Sequence, residues 1–113
     1  MGDTIVKAEL DSYDAVLCEY SRKLQDATPV LIEEYNKSVK TNRGGLQGLA
    51  SLYDEKVSAL AKISNEGIDK MIDVYHYQGS GSYEDYCEWA SKLLNVYMEE
   101  SAKVQDAYMK SAQ

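Results

Sequence analysis

Few side chains in this sequence are of the types that perform chemistry. His76 is the only histidine, and Asp73-x-x-His76 is a distant relative of the Glu-x-x-His step found in di-iron helical bundles. Those sites need the step twice, together with further inward-facing carboxylates, so one copy does not predict a metal site. We expect His76 to be a surface residue at the end of a helix.

Neighbouring acids are the other candidates for catalysis, at Glu33-Glu34, Glu84-Asp85 and Glu99-Glu100. Adjacent residues of a helix point about 100° apart, so such a pair does not share one site, and we expect these acids on a solvated face. No glycine-rich loop follows a predicted strand, so Gly79-Ser80-Gly81 does not predict a phosphate-binding loop. We therefore predict no catalytic residue, no metal ligand and no cofactor, in a protein that is not an enzyme.

Charge and length restrict the partners. The chain has 113 residues, with 12 lysines and arginines against 19 acids and a formal net charge of −7. An acidic chain is not attracted to nucleic acid or to an anionic membrane, and no stretch approaches the roughly 18 apolar residues of a membrane span. We expect a single domain over residues 1–113, cytoplasmic or secreted without a cleavable signal peptide, that binds neither nucleic acid nor membrane.

The two cysteines, Cys18 and Cys87, are isolated, without a CxxC pair or a His/Cys cluster. Their spacing predicts neither a disulfide framework nor a zinc site. Because free cysteine is among the most often buried residues, we expect both to be reduced thiols near the core.

The first of three helical segments has the clearest pattern. From Val6 to about Lys40, apolar or tyrosine side chains recur at alternating steps of four and three, the spacing of a helix that packs against other helices. Asp3 or Thr4 is the expected cap. Because Pro29 falls inside the pattern, we predict either one kinked helix or two coaxial pieces. The buried positions are predicted to be Val6, Leu10, Tyr13, Leu17, Tyr20, Leu24, Ala27, Leu31, Tyr35 and Val39.

Glycines separate the other segments. Gly44, Gly45 and Gly48 predict a chain reversal, because glycine tolerates the left-handed conformation that ends helices. A second amphipathic helix from about Leu46 to Tyr77 follows, and Ser82 then has the features of a cap for a third helix that ends near Met109. The third helix is expected to bury Tyr83, Tyr86, Ala90, Leu93, Tyr97, Val104 and Tyr108, with Cys87, Trp89 and Leu94 widening this stripe.

Three long helices joined by short loops define the expected fold. Short connections force sequential helices to lie side by side and antiparallel, and helices of this length span about 45 Å. No segment has the period-two alternation of a half-buried strand. The fold class predicted is all-α, an elongated up-down-up bundle of three helices, the first kinked or broken near Pro29.

The aromatic residues are unusual, with 10 tyrosines, one tryptophan and no phenylalanine. A buried tyrosine needs a partner or water for its hydroxyl, and a narrow bundle lets each tyrosine reach the rim. A second interpretation is that another chain covers one face, because tyrosine and tryptophan dominate protein interfaces. That interpretation assigns partner binding to Tyr75, Tyr83, Tyr86, Trp89 and Tyr97.

Leu46-Gln47-Gly48, followed by Ala50 and Tyr53, lies between two predicted amphipathic helices of a small acidic chain. It resembles the W-x-G (or L-x-G) turn of the ESX-type small helical proteins of type VII secretion. Tyr77-Gln78-Gly79, at the second break, also resembles an aromatic-x-glycine turn. The resemblance covers Val6 to about Tyr77 with the first turn, or Leu46 to Gln113 with the second.

The resemblance implies a bacterial helical hairpin that pairs into a four-helix dimer and is secreted or escorts larger toxins. It adds Leu46, Gly48, Tyr53, Tyr77 and Gly79 to the partner-binding residues. That family carries a Tyr-x-x-x-Asp/Glu export signal, whereas here Tyr97 leads to Ser101 and Tyr108 to Ala112. The role implied is therefore a small partner or targeting chaperone, whose companion chain would carry the signal.

Three function classes follow from these patterns. The first is a non-enzymatic interaction module that acts as a homodimer or heterodimer. The alternative is an acidic phage- or plasmid-type inhibitor, whose carboxylates occupy a basic protein surface and would be concentrated on one face. A helical-bundle enzyme or metal carrier is the third.

Overall fold

The computed structural model describes residues 12–78 and 82–113. These residues form three helices, α1 at Tyr13–Thr41, α2 at Gly45–Gln78 and α3 at Tyr83–Ser111. Each helix packs against both of the others, and the described ranges contain no strand. The predicted all-α bundle of three long helices is confirmed.

Contacts between rings show which helix ends lie together. Tyr53, near the start of α2, stacks on Tyr108 near the end of α3, with centroids 4.9 Å apart. Tyr75, near the end of α2, lies 6.0 Å from Tyr86 in the first turns of α3. Tyr13 at the start of α1 stacks on Trp89, 6.2 Å away. The first turns of α1 and α3 and the last turns of α2 therefore share one end of the molecule.

Helix α1 begins later than its pattern predicts. Ser12 is extended, with φ −129° and ψ 152°, and its hydroxyl accepts a hydrogen bond from Ala15 N at 3.1 Å, as an N-cap does. The start at Val6 is therefore corrected to Tyr13. Val6, Leu10 and the proposed caps Asp3 and Thr4 lie outside the described residues.

Pro29 lies inside a helix that is continuous from Tyr13 to Thr41, not between two pieces. Because proline has no backbone N–H, Pro29 cannot donate a hydrogen bond to the carbonyl one turn earlier in the helix. One residue before it, the buried Thr28 donates its hydroxyl to Leu24 O at 2.9 Å, which pairs that side chain in the interior.

The reversal between α1 and α2 is built by Asn42 and glycines. Gly45 adopts φ +62°, the left-handed conformation that the sequence predicts here. Asn42 Oδ1 accepts from Gly44 N, and Asn42 Nδ2 donates to Gly45 O, both at 3.1 Å. A Cβ on Gly48 would lie 2.2 Å from Asn42 Oδ1, so a larger residue there would displace the Asn42 side chain from its hydrogen bonds.

Helix α3 starts with the predicted cap. Asp85 N donates to Ser82 Oγ at 3.2 Å, and Ser82 N donates to Asp85 Oδ2 at 3.1 Å. This reciprocal pair satisfies two backbone donors that have no partner within the helix.

The core follows most of the predicted stripes, with corrections at their edges. Val16 and Thr28, on the two edges of the predicted face of α1, are buried, while Leu17, within that face, is half-buried. Leu94 and Tyr83 were predicted to be buried and are exposed. The apolar residues that are buried are Val16, Tyr20, Leu24, Tyr35, Leu49, Leu60, Met71, Val74, Ala90, Leu93 and Val104.

Two further expectations about burial are wrong. Cys18 is exposed and Cys87 is half-buried, so only the second lies near the core. Glu100 was expected on a solvated face with Glu99, yet only 2% of it is exposed. Glu100 lies one turn before the buried Val104 on the same side of α3, and its carboxylate accepts a hydrogen bond from Lys103 Nζ at 2.8 Å.

In the described part of the chain, no helix combines the length and the low polarity that crossing a bilayer requires.

Candidate protein-binding surface

The aromatic end of the molecule, which we define as Tyr13, Tyr75, Tyr83, Tyr86 and Trp89, joins all three helices. Tyr75 lies 6.0 Å from both Tyr83 and Tyr86, which are themselves 5.8 Å apart. The interplanar angles of 72°, 40° and 38° are tilted and edge-on arrangements that ring quadrupoles favour. Of the five aromatic residues that the sequence assigned to partner binding, Tyr75, Tyr83, Tyr86 and Trp89 therefore lie at this end, and Tyr97 does not.

This end is partly open to solvent. Tyr83 is 61% exposed and Tyr77, just beyond Tyr75, is 85% exposed, while the other rings are half-buried. Lys92 Nζ lies 4.1 Å from the centre of the Trp89 ring, a cation–π contact that covers one face of the indole. The exposed tyrosines leave apolar ring surface that a partner could cover.

Local surroundings raise the pKa of three phenols at this end. Burial, and then the nearby Asp85 carboxylate, raises the pKa of Tyr13. A hydrogen bond with the Cys87 thiol raises the pKa of Tyr83, and burial raises that of Tyr86. Each of these effects favours the neutral phenol, so the cluster resists taking on negative charge.

The residues predicted from the glycine-containing turns do not form one site. Leu46 is exposed and Gly48 half-buried in the first turn of α2, at the opposite end from Tyr77. Tyr53 is half-buried against Tyr108, near that same opposite end. Tyr97 is half-buried in the middle of α3, and Gly79 lies outside the described residues.

A line of uncharged side chains, exposed except for the half-buried Cys87, follows α3 along most of its length. We define the α3 stripe as Tyr83, Cys87, Ser91, Leu94, Met98, Ala102, Gln105 and Met109. Steps of three and four residues place these positions on one side of the helix. Met98 is 63% exposed and Met109 is 54% exposed, so large apolar groups face water there.

The charged residues of α3 lie on a different line. Lys103, Asp106 and Lys110 border an open groove of about 760 Å³ against Ile32 and Asn36 of α1. Within this groove Lys110 pairs with Asp106 at 3.1 Å and Lys103 pairs with Glu100, so its charges are already satisfied. The groove therefore offers no free charge to a ligand, and the neighbouring stripe is the more distinctive surface.

The sequence prediction missed the α3 stripe. Leu94 was assigned to the core, and Met98 and Met109 were assigned to no face. The absence of charge at every stripe position, beside a flank that carries Glu88, Lys92, Glu99 and Asp106, would have identified it. That pattern differs from an ordinary amphipathic helix, because it places a second, narrower apolar line away from the core.

His76 lies exposed in the last turn of α2, as predicted, with its ring 5.3 Å from that of Tyr75. Within residues 12–78 and 82–113, no three His, Cys, Asp or Glu side chains are placed to hold a metal ion.

Comparisons with protein-family models, with curated proteins and with solved structures find no match for this chain.

Proposed function

We propose that this chain is a non-enzymatic helical protein–protein interaction module whose binding surface is the α3 stripe together with the aromatic end. The observation that carries the proposal is the exposed, uncharged stripe, in a chain of which 27% of the residues are charged. The exposed parts of Leu94, Met98 and Met109 do not contribute to the buried core of the bundle. Covering them with a partner removes apolar area from water, worth roughly 25 cal/mol per Å².

The shape of the surface favours a helix as the partner. The stripe is one side chain wide and follows a single helix, which suits another helix better than a compact small molecule. Methionine at two of its positions, Met98 and Met109, adapts to partners of different shape because its side chain is unbranched and flexible.

A narrower form of the proposal is a bacterial partner or targeting chaperone of the type VII secretion kind. Its support is the placement of Leu46-Gln47-Gly48 at the reversal between two long helices, with Leu46 exposed. In this form the companion chain contacts the Leu46 end as well as the α3 stripe and supplies the export signal that this sequence lacks.

The acidic-inhibitor alternative has less support. It requires carboxylates concentrated on one face, whereas acids on α1 and α3 pair with neighbouring bases. Glu33 lies 3.4 Å from Lys37, and Asp106 lies 3.1 Å from Lys110. An inhibitor of this kind would bind a basic protein with an affinity that falls steeply as salt is added.

Binding measurements with matched variants test the proposal. A companion captured with the tagged full-length chain is purified, and its complex with the chain is measured by calorimetry. Met98→Glu is expected to weaken binding more than about tenfold, because a charge would be buried against apolar side chains. Val30→Glu, which alters an exposed apolar residue on α1, is the matched control and should leave the affinity unchanged.

The proposal is overturned if Met98→Glu binds as tightly as the unaltered chain. It is also overturned if the chain forms no complex, with itself or with any other protein, that depends on the stripe. Circular dichroism of each variant shows that a loss of binding is not a loss of the helices.

A further inference from the structure

We infer that the partner that covers the α3 stripe is a second copy of this chain, laid antiparallel along α3 with Met98 beside the two-fold axis. The inference rests on the proposed function and names its partner. A two-fold interface requires one surface that matches itself after reversal. The α3 stripe has that property.

The stripe is symmetric about Met98. Positions four, seven and eleven residues away on either side all belong to it, so reversing the helix about Met98 places stripe on stripe. The large Leu94 then lies level with the small Ala102, and polar Ser91 lies level with polar Gln105. The level pairs are Leu94 with Ala102, Ser91 with Gln105, and Cys87 with Met109.

Charge selects the antiparallel direction. The first turns of α3 carry the acids Glu84, Asp85 and Glu88, whereas the exposed lysine Lys110 lies in the last turn. A parallel pair would place the acids of both copies side by side. An antiparallel pair places them beside the other copy's last turns and also opposes the two helix dipoles.

Glu88 illustrates the complementarity. It makes no ion pair within the described residues, and it lies ten residues before Met98, while Lys110 lies twelve after it. In the antiparallel pair Glu88 of one copy lies level with residue 108 of the other, within one turn of both Lys110 and Asp106, so a contact with Lys110 competes with the 3.1 Å pair that Lys110 makes with Asp106. The interaction occurs twice by symmetry.

Like charges oppose the pair where Glu88 approaches Asp106 of the other copy and again beside the axis. Glu99 follows Met98 directly, so the two Glu99 side chains approach each other near the axis. Because that flank is exposed, the repulsion is modest, and Glu99→Gln should tighten the dimer about two- to five-fold. A gain of affinity with unchanged circular dichroism cannot be attributed to loss of the helices, which makes this variant a useful complement to Met98→Glu.

Site-directed crosslinking tests the geometry. All variants carry Cys18→Ser, so that the exposed thiol of α1 does not react. Met98→Cys with Cys87→Ser should give a covalent dimer with a short bismaleimide, because the two residues meet at the axis. Val30→Cys with Cys87→Ser, an exposed thiol on α1, is the control and should stay a single chain.

A second pair of variants reads the direction of pairing. Met109→Cys should crosslink to the native Cys87 of the other copy and should fail to crosslink when Cys87→Ser is added. The reason is distance: each residue 109 lies about 16 Å from the axis at 1.5 Å of rise per residue, so the two lie on the order of 30 Å apart. In a parallel pair, Met109→Cys would crosslink to itself without Cys87.

Light scattering of the unaltered chain over a range of concentrations completes the test. We expect a dimer that dissociates on dilution, more than about tenfold weaker with Met98→Glu. Three results would overturn the inference. The first is a monomer at every concentration, and the second is self-crosslinking of Met109→Cys in the absence of Cys87. The third is crosslinking of Val30→Cys as efficient as that of Met98→Cys. If the chain is a monomer whose stripe binds a different helical protein, the dimer inference fails and the proposed function stands. If Met98→Glu weakens no complex of the chain, the dimer inference and the proposed function both fail.

Discussion

The hydroxyl of Tyr35 lies 2.5 Å from Oγ of Ser111 and joins the last turns of α1 to the end of α3. Ser111 Oγ donates its own proton to Tyr108 O at 2.8 Å, so the tyrosine hydroxyl is the donor to Ser111. Tyr35 has no exposed surface, and this bond gives its hydroxyl the partner that a buried phenol needs.

Removing that hydroxyl should lower the free energy of unfolding. Tyr35→Phe keeps the ring and loses one interhelical hydrogen bond, so we expect a loss of about 0.5–1.5 kcal/mol. Urea unfolding followed by circular dichroism measures it. Tyr77→Phe, at a side chain that is 85% exposed, is the control and should have no effect. Equal stability of Tyr35→Phe and the unaltered chain would show that the bond contributes nothing.

Gly67 of α2 packs closely against both other helices. A Cβ there would lie 2.5 Å from Cδ2 of Leu93 in α3 and 2.8 Å from Cγ of Tyr20 in α1. Gly67→Ala gains about 1 kcal/mol of helix propensity but overpacks the core at a cost of about 1–3 kcal/mol. We expect a net loss of stability.

The control for Gly67→Ala is Asn65→Ala, at an exposed position of the same helix. It gains helix propensity without changing the core and should stabilise by a few tenths of a kcal/mol. If both alanine variants were stabilising in denaturant unfolding, the close packing at Gly67 would be unimportant.

The sequence predicted the number and type of the helices, and their ends apart from the start of α1, because each depends on local chemistry. Ser82 and Asp85 form a cap from residues three apart, and Asn42 with the glycines before Leu46 builds the reversal from neighbouring residues. Gly67 shows the opposite case. A glycine inside a helical pattern indicates only a locally weak helix, because its contact with Tyr20 depends on how α1 and α2 come together.

The candidate surface was predictable in part for the same reason. Tyr75, Tyr83, Tyr86 and Trp89 flank one short connection, so any bundle with short loops brings them together. The exposure of Leu94 depends on the rotation of α3 about its axis. Long-range packing sets that rotation. The spacing of apolar residues alone defines it only to within about one residue.

Glu100 is a buried carboxylate with one oxygen paired to Lys103 and no hydrogen-bond partner for Oε1. Glu100→Met should be neutral or stabilising by about 1–3 kcal/mol, because an apolar side chain of similar size avoids desolvating a charge. Lys103→Met should be destabilising by about 1–3 kcal/mol, because the carboxylate then stays buried without its partner.

The double variant distinguishes this pair from an ordinary surface contact. Glu100→Met with Lys103→Met should match Glu100→Met alone, since the lysine has no partner to lose. Lys37→Met, which breaks the exposed Glu33–Lys37 pair of α1, should change the free energy of unfolding by less than about 0.5 kcal/mol. A Lys103→Met variant as stable as Lys37→Met would contradict a buried ionic role for Glu100.

Alkaline pH should lower the free energy of unfolding through Tyr13. Burial and the Asp85 carboxylate raise the pKa of Tyr13 above its ordinary value near 10, which it regains on unfolding. Above pH 10 the unfolded chain loses this proton more readily than the folded one, so the free energy of unfolding falls as the pH rises from about 10 through the folded-state pKa. Below pH 10 this effect is absent.

Tyr13→Phe tests that linkage, because it removes the titrating group and keeps the ring that stacks on Trp89. At pH 8 the variant should be as stable as the unaltered chain or slightly more stable, since the Tyr13 hydroxyl is buried without a hydrogen-bond partner. Between pH 10 and pH 11 it should lose less stability than the unaltered chain. The fluorescence of Trp89, the only tryptophan, follows unfolding at this end. Identical alkaline losses for Tyr13→Phe and the exposed control Tyr77→Phe would show that Tyr13 is not responsible.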